Sequence, residues 1–213
     1  MLRKETVTAG TLELLTDIMQ DRNLEDFYLA GGTALSLQIG HRISIDIDLF
    51  SLNPFDENKM LAYLESSRQL RLDYLDRNTI KGQIKQTKID LITHAYPLVE
   101  PLKLSEGVRL ASLEDIAAMK LNAIVGNGTR LKDFVDIAFL SCCLPLKKMV
   151  EAYEDKYSSR NPFLTLKALS YHKDINFEEP IHLIARAYSW KAIKRRLDEM
   201  EKSPTRIFGE LPL

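Results

Sequence analysis

The chain has 213 residues, of which 45% are hydrophobic and 28% charged, and its formal net charge is -1 at pH 7. The length allows a substantial core, and the near-zero charge excludes a global field that would draw the protein to nucleic acid or membrane, so a polyanion site must be a local patch. The two cysteines, Cys142 and Cys143, are adjacent and indicate no disulfide framework; the N-terminus lacks a signal-peptide core, and no apolar run approaches the ~20 residues of a membrane span. We therefore expect a cytoplasmic protein with no membrane partner.

The first predicted elements are a helix over residues 8–22 and a short buried strand over residues 27–30. A glycine pair, residues 31–32, follows directly, and such a pair lets the backbone turn sharply and lets another group come close. Thr33 is the expected N-cap of a helix over residues 34–40. A strand, a glycine turn and a helix start together direct backbone N–H groups at one spot, which suits a phosphate.

The stretch over residues 43–50 alternates four apolar residues with Ser44, Asp46, Asp48 and Phe50, so it predicts a strand with a period of two. Asp46 and Asp48 therefore share one face. Two carboxylates on one face repel each other unless a cation lies between them, and they offer the oxygen ligands that Mg²⁺ prefers. A phosphate cradle and a Mg²⁺ clamp are what nucleotidyl or phosphoryl transfer requires, and the sequence does not separate these two reactions.

A third carboxylate, Asp90, lies in the apolar strand predicted over residues 87–92, after a predicted strand pair over residues 70–84. A buried aspartate is costly unless it is paired or bound to metal. If this strand lies beside the one that carries the aspartate pair, three carboxylates converge, which is enough for a two-metal site. The alternative interpretation is a salt bridge from Asp90 to Lys88 or Arg42.

The second half of the chain is predicted to be mainly helical. A helix over residues 113–125 puts Lys120 on its buried stripe, where a lysine needs an anionic ligand or a carboxylate partner, unless it reaches water from the helix end. The next helix, over residues 130–143, carries Asp133 and Asp136 on another face, where they could simply complement the helix dipole. Further helices are predicted over residues 57–66, 145–157, 162–170 and 181–201.

This order of elements predicts an α/β (α+β) fold class, in which a mixed sheet flanked by helices is followed by a helical C-terminal subdomain. We expect the α/β core to span residues 1–111 and the helical subdomain to span residues 112–213.

Two motifs resemble a known family. The sequence GGTA at residues 31–34 followed by RISIDID at residues 42–48 resembles the nucleotidyltransferase AbiEii/AbiGii toxin family of the polymerase-β-like nucleotidyltransferase superfamily. The sequence KLNA at residues 120–123, followed by RLKDFVD at residues 130–136, resembles a later motif of that family. The resemblance covers about residues 27–140 and implies a nucleotidyltransferase-type sheet, an NTP as co-substrate and Mg²⁺, or Mn²⁺ in its place. It also implies a toxin of a toxin–antitoxin or phage-defence pair with a cognate antitoxin, and some members modify tRNA ends.

The resemblance also implies roles for particular residues, whereas Asp90 is placed by its position in the strand. The expected catalytic residues are Asp46, Asp48, Asp90, Lys120 and Asp133, of which Asp46, Asp48 and Asp90 would hold the metal. The expected nucleotide-binding residues are Gly31, Gly32, Thr33, Arg42, Ser44, Lys120, Arg130 and Lys132. The wider superfamily usually has Gly-Ser where this chain has Gly-Thr, and both provide a hydroxyl.

The expected reaction moves NMP from an NTP to an acceptor hydroxyl, in tRNA or another RNA, and two rival functions remain. A small-molecule nucleotidyltransferase would have an acidic acceptor pocket for a cationic substrate. A non-catalytic binding module with this fold would bind NTP weakly and without metal, and the presence of Gly31, Gly32, Asp46 and Asp48 argues against it. The basic cluster over residues 191–196 is interspersed with acids further along its helix, so we interpret it as a solvated mixed-charge face.

Overall fold

The computed structural model describes residues 1–158 and 161–213. The contacts between its Cα atoms divide the chain into two compact units. The first unit consists of Met1–Pro97 and Leu102–Ala111, and the second consists of Leu98–Pro101 and Ser112–Leu213. The short segment Leu98–Pro101 therefore belongs with the second unit, although the chain returns to the first unit after it.

The first unit is built on a mixed β-sheet. Its strands are β1 (Tyr28–Leu29), β2 (Ile47–Ser51), β3 (Arg71–Asp76), β4 (Thr79–Ile84), β5 (Thr87–Thr93), β6 (Lys103–Ser105) and β7 (Val108–Leu110). In the described part of the chain they form one seven-stranded sheet in the order β3-β4-β5-β2-β1-β7-β6. Strand β2 is parallel to β5 and β1 is parallel to β7, while the other neighbours are antiparallel. The predicted mixed sheet is confirmed.

Helices accompany the sheet and make up most of the second unit. The first unit contains α1 (Ala9–Gln20), α2 (Gly31–Ile39) and α3 (Glu57–Arg68). The second unit contains α4 (Leu113–Gly126), α5 (Leu131–Leu140), α6 (Leu146–Tyr157), α7 (Pro162–Ser170) and α8 (Trp190–Lys202). The predicted helical C-terminal part is therefore confirmed. None of the helices in the described ranges is both long enough and apolar enough to cross a membrane.

Two predictions around the glycine pair were wrong. Thr33 is not an N-cap, because α2 already begins at Gly31 and Ala30 occupies the N-cap position. The strand predicted over residues 43–50 has lost its first half: β2 begins at Ile47, and Ile45 is 54% exposed. The physical reason for the second difference is that the Thr33 hydroxyl donates a hydrogen bond to the carbonyl of Asp46, which is therefore bound by a side chain and lies outside the sheet ladder.

The last predicted helix was also wrong in its first half. Residues 181–189 are not helical, and α8 begins only at Trp190. The apolar residues of this segment do not form one buried face, since Ile184 is 42% exposed. Most helix stability in proteins comes from packing of the apolar face. Because the apolar residues of this segment are not buried together, packing does not stabilise a helix here.

The second unit contains a buried polar hub at Asp115 in α4. Its carboxylate accepts hydrogen bonds from the Ser112 hydroxyl (2.7 Å) and from the backbone N–H groups of Val99 (3.1 Å) and Glu100 (3.2 Å). Its Oδ1 also lies 2.7 Å from Nζ of Lys156 in α6, and both side chains are almost completely buried. Asp115 therefore ties three segments of the unit together with satisfied hydrogen bonds.

Candidate active site

The glycine turn lies directly opposite the strand that carries Asp48. Strand β1 pairs with β2 through Leu29 and Leu49, and the next residue, Ala30, donates its N–H to the carbonyl of Asp48 at 2.9 Å. Helix α2 begins immediately afterwards, and its N-cap residue makes no side-chain hydrogen bond to the helix. The first N–H groups of α2 therefore lack a side-chain cap, and such a helix start favours an anion.

The Asp48 carboxylate lies against the backbone of Gly31. A Cβ atom built on Gly31 would overlap the Oδ2 atom of Asp48, and the φ angle of Gly31 is +66°. Both observations require glycine, because other L-residues adopt this conformation only at a cost and would displace the carboxylate. The close approach that the sequence predicted at the glycine turn is therefore the approach of an acidic side chain.

Arg42 occupies the corresponding position at the second glycine. A Cβ atom on Gly32 would overlap one terminal nitrogen of the Arg42 guanidinium, and Arg42 is buried. Its other terminal nitrogen donates to the carbonyl of Ile43 at 3.1 Å. A fixed positive charge thus lies beside the uncapped start of α2, and both features favour an anion at this point.

Thr33 and Ser44 hold the loop between α2 and β2. The buried Thr33 hydroxyl is hydrogen-bonded to the Ser44 hydroxyl (2.9 Å) as well as to the Asp46 carbonyl. The N–H of Ser44 donates to the carbonyl of Thr6 at 2.8 Å. These contacts hold the segment that leads into Asp46 and Asp48. The nucleotide-binding role expected for the Thr33 and Ser44 hydroxyls remains a prediction.

Asp48 and Asp90 form a row with a lysine across three neighbouring strands. In the parallel pair β2–β5, Asp48 lies opposite Asp90, and in the antiparallel pair β4–β5, Asp90 lies opposite Lys81. The residues on either side of them, such as Ile47 and Ile89, are buried on the other face. Nζ of Lys81 lies 2.7 Å from Oδ2 of Asp90. The predicted neighbourhood of the two carboxylates is thus observed, and the lysine that Asp90 pairs with is Lys81 rather than Lys88 or Arg42.

The carboxylates of this row fit a divalent cation by their chemistry. Asp46 precedes β2 with an exposed side chain, Asp48 lies against Gly31, and Asp90 is next in register. All three offer the hard oxygen donors that Mg²⁺ and Mn²⁺ prefer. Within residues 1–158 and 161–213, however, no three His, Cys, Asp or Glu side chains are grouped so that they could hold a metal ion. Strand register aligns Asp48 with Asp90, whereas Asp46 lies just before β2, and metal binding by the three carboxylates remains a prediction.

The second unit contains its own buried charge cluster. Nζ of Lys120 in α4 lies 2.7 Å from Oδ1 of Asp133 and 2.9 Å from Oδ2 of Asp136, both in α5. All three side chains are less than 10% exposed. The expected carboxylate partner of Lys120 is therefore observed, and the alternative of a lysine that reaches water from the helix end was wrong. Asp133 also lies in the first turn of α5, as the dipole alternative supposed, but both aspartates are bound to Lys120. Because each buried charge has a partner, the cluster avoids the cost of an isolated one.

Arg130 and Lys132 lie at the start of α5 in a different environment. Arg130 is 63% exposed at its side chain, and its Nε is 4.0 Å from Oδ2 of Asp133. Nζ of Lys132 lies 2.9 Å from Oε1 of Glu179. The segment with Glu179 is held nearby, because the N–H of Asn176 donates to the carbonyl of Thr129 at 2.9 Å. Their nucleotide-binding role stays a prediction, and for Lys132 it would require a phosphate to replace Glu179.

Sequence reasoning missed Lys81, although a signal was present. Strands β4 and β5 are joined by the two residues Lys85 and Gln86, since Ile84 pairs with Thr87. A two-residue hairpin fixes the register of the whole pair. Counting back from that turn puts Lys81 opposite Asp90, so the ion pair could have been found from the loop length alone.

Comparisons with known proteins agree with this architecture. The family model described as "Nucleotidyl transferase AbiEii toxin, Type IV TA system" matches residues 13–89 and 67–206. An uncharacterized protein of Aquifex aeolicus (strain VF5) is 35% identical over 159 residues, which cover 72% of this chain and 77% of that protein.

Two crystal structures from Helicobacter pylori are also similar. A protein that carries a nucleotidyltransferase assignment matches with a TM-score of 0.57 at 17% identity, covering 92% of this chain and 94% of that chain. At this identity the match concerns the fold alone. JHP933 matches with a TM-score of 0.46 at 15% identity, covering 92% of this chain and 97% of that chain.

Proposed function

The chain belongs to the AbiEii family of nucleotidyl transferase toxins, and from this premise we propose that it moves NMP from an NTP to an acceptor hydroxyl of RNA, tRNA among the candidates, in a reaction that depends on Mg²⁺ or Mn²⁺. Nucleotidyl transfer follows from membership of the family. The requirement for a metal, the NTP as donor and the RNA acceptor are proposals.

The observation that carries the proposal is the contact between Asp48 and the glycine turn. An uncapped helix start that favours phosphate and a carboxylate that favours a cation meet at Gly31, where a Cβ atom has no room. A metal–triphosphate complex needs both kinds of group within reach of one another. If Asp48 had only a structural role, the uncapped helix start at Gly31, directly beside its carboxylate, would have no explanation.

The residues of the first unit divide the task as follows. The first N–H groups of α2, at Gly31 and Gly32, donate to the triphosphate, and the buried Arg42 guanidinium adds positive charge beside them. Thr33 and Ser44 act by holding the segment that leads into the aspartates. Asp90 orients the acceptor hydroxyl and takes up its proton. The acceptor oxygen then attacks the α-phosphorus, the bond from that phosphorus to the bridging oxygen breaks, and pyrophosphate leaves.

Asp46 and Asp48, with Asp90 beside them, would hold the divalent cation. When bound, the cation neutralises charge on the phosphates and orients them for in-line attack. The alternation of the strand supports this assignment, because it directs Asp48 and Asp90 away from the buried isoleucines on the other face.

The second unit supplies the remaining proposed roles. We propose that Arg130 and Lys132 contact phosphate groups and that Asp133 positions Lys120 within the buried charge cluster of this unit. The 2.7 Å contact between Lys120 and Asp133 supports the last assignment. We also propose that residues 1–111 form the nucleotidyltransferase core and that residues 112–213 select the acceptor.

The biological setting is proposed from the family description and from the cysteines. The description names a type IV toxin–antitoxin system, so we propose that the protein is the toxin of such a pair and has a cognate antitoxin. Cys142 and Cys143 are free thiols, which supports a reducing compartment, the cytoplasm.

The test is transfer of label from each α-labelled NTP into total RNA in the presence and absence of Mg²⁺, by the wild-type chain and by Asp48→Asn. Asp48→Asn keeps the size of the side chain and removes its charge. Label that enters RNA only with metal, and that falls at least 100-fold in the variant, would support the proposal and identify nucleotide and acceptor. No transfer, with intact NTP and metal binding, would redirect the search to small-molecule acceptors. Absence of both would refute the proposal.

A further inference from the structure

We propose that Lys81 is a resident cation of the metal site: it holds Asp90 in the metal-free protein and gives way when a divalent cation binds, so that it sets the metal affinity of the site. This inference rests on the proposed function, because it presumes that Asp46, Asp48 and Asp90 bind metal. It concerns a positioning residue on β4 that lies outside the two motifs on which the resemblance rests.

The geometry places Lys81 where it competes with a metal for Asp90. Lys81 and Asp90 are directly paired in register, and their side chains meet at 2.7 Å. Asp48 lies on the other side of Asp90 in the adjacent strand. The row therefore consists of the Lys81 ammonium, the Asp90 carboxylate and the Asp48 carboxylate, in that order. One of the two Asp90 oxygens, Oδ2, is engaged by the ammonium, and a cation at this carboxylate must share it with Lys81 or displace it.

The lysine in this row offsets electrostatic repulsion between the two carboxylates. Two carboxylates in adjacent register on one sheet face repel each other, and like charges directly opposite destabilise a strand pair. The Lys81 ammonium offsets this repulsion as long as no metal is present. A divalent cation supplies more positive charge to the same carboxylates, and the ammonium next to it then becomes a repulsive neighbour.

Exposure allows Lys81 to move away. Its side chain is 42% exposed and that of Asp90 is 26% exposed, so the ammonium can turn into water on its flexible stem without leaving a buried charge behind. The other lysine–aspartate cluster differs in this respect, because Lys120 is 8% exposed and has two carboxylate partners. The arrangement at Lys81 is therefore that of an exchangeable ion pair, and the one at Lys120 is that of a fixed cluster.

The test measures Mn²⁺ binding by calorimetry, with Mn²⁺ alone as the probe and no nucleotide. In Lys81→Gln the charge is lost and a hydrogen-bond donor is kept, in Lys81→Met both are lost, and in Lys81→Arg the charge is kept. Lys88→Gln is the matched control, because Lys88 is an exposed lysine on the neighbouring strand and is paired in register with Gln83 rather than with a carboxylate. Asp48→Asn reports whether binding occurs at the proposed site.

We expect Lys81→Gln and Lys81→Met to bind Mn²⁺ about tenfold more tightly than the wild type, as for the loss of one adjacent unit charge at a partly screened site. Lys81→Arg and Lys88→Gln should stay within about twofold. Without metal, the melting temperature of Lys81→Gln should be lower than that of the wild type, and Mn²⁺ should raise it by a larger amount. A merely structural lysine would lower stability without tightening metal binding.

Two failures are distinguishable. If Mn²⁺ binds and Asp48→Asn abolishes binding, but Lys81→Gln and Lys81→Met bind equally or more weakly, this inference is refuted and the proposed function stands. If no variant binds Mn²⁺, or if Asp48→Asn leaves binding unchanged, the metal site itself is refuted and the inference falls with it.

Discussion

Replacement of Gly31 by alanine should disable the site through a single methyl group. The φ angle of Gly31 is +66°, and a left-handed conformation costs a non-glycine residue about 1–2 kcal/mol. The new Cβ would in addition overlap Oδ2 of Asp48, so this carboxylate must move, and displacement of a reacting group by about 1 Å can cost about 100-fold in rate. We therefore expect Gly31→Ala to lose about 1–2 kcal/mol of stability and at least 100-fold of metal-dependent label transfer.

Gly107→Ala separates the two effects. Gly107 also has a positive φ, +82°, but a Cβ atom there meets nothing within 4 Å. It should lose a similar free energy of unfolding in a denaturant titration and keep wild-type transfer and Mn²⁺ affinity. Gly10→Ala is a second control without a positive φ: because Gly10 lies in α1 and a Cβ there meets nothing within 4 Å, this variant should keep or raise the free energy of unfolding and leave transfer unchanged.

The result that would refute this reasoning is specific. If Gly31→Ala matches Gly107→Ala in stability and retains at least half of the wild-type transfer and Mn²⁺ affinity, then the contact between Gly31 and Asp48 is irrelevant to the site. Loss of transfer together with global unfolding at the assay temperature would be recognised in the denaturant titration, and the measurement would then be made at a lower temperature.

Two further predictions concern the second unit. Lys156→Ala leaves Asp115 as an uncompensated buried charge and should cost about 3–5 kcal/mol in the free energy of unfolding. Lys147→Ala on the same helix removes only a surface ion pair and should cost about 0.5 kcal/mol or less. Equal losses would contradict the assignment of Asp115 as a hub. Burial lowers the pKa of His172 from its ordinary value of 6.5, so below about pH 6.5 the unfolded state binds a proton that the folded state does not, and stability should fall as the pH drops from 7.5 to 5.5. His172→Phe should weaken this dependence in urea titrations followed by the fluorescence of Trp190, whose ring centroid is 5.0 Å from that of His172, and an unchanged pH dependence would contradict this argument.

The elements with strong local signals were predictable from the sequence. The resemblance to the AbiEii family is confirmed by the family model, and the mixed sheet followed by helices is confirmed by the structure. The strand before the glycine pair followed from a buried apolar run. The position of Asp48 on the face of β2 opposite the buried isoleucine Ile47 followed from a period of two, although Asp46 falls outside the strand. The helix predicted over residues 57–66 is observed as α3, and Asp56 caps it, because its side chain accepts hydrogen bonds from the N–H groups of Asn58 and Lys59.

Two of the failures share a physical cause, which is that contacts distant in sequence decided the outcome. The Asp46 carbonyl is bound by the Thr33 hydroxyl rather than by a strand, and nothing within the stretch of residues 43–50 indicates this. Asp136 resembled a dipole-complementing residue until the contact with Lys120, sixteen positions away, buried it. Local pattern gives propensity and face, whereas the partner of a buried charge depends on tertiary packing.

The interleaving of the two units restricts how this protein can be cut or recombined. The chain passes between the units three times, because Leu98–Pro101 belongs to the second unit and Leu102–Ala111 to the first. A single crossover after Ala111 would leave the second unit without Val99 and Glu100, whose N–H groups satisfy the buried carboxylate of Asp115. A foreign helical half that lacks the matching loop would leave that carboxylate short of two donors. An exchange of the half that we assign to acceptor selection must therefore include Leu98–Pro101 as well, a segment that the other half encloses in sequence. This requirement favours inheritance of both halves together.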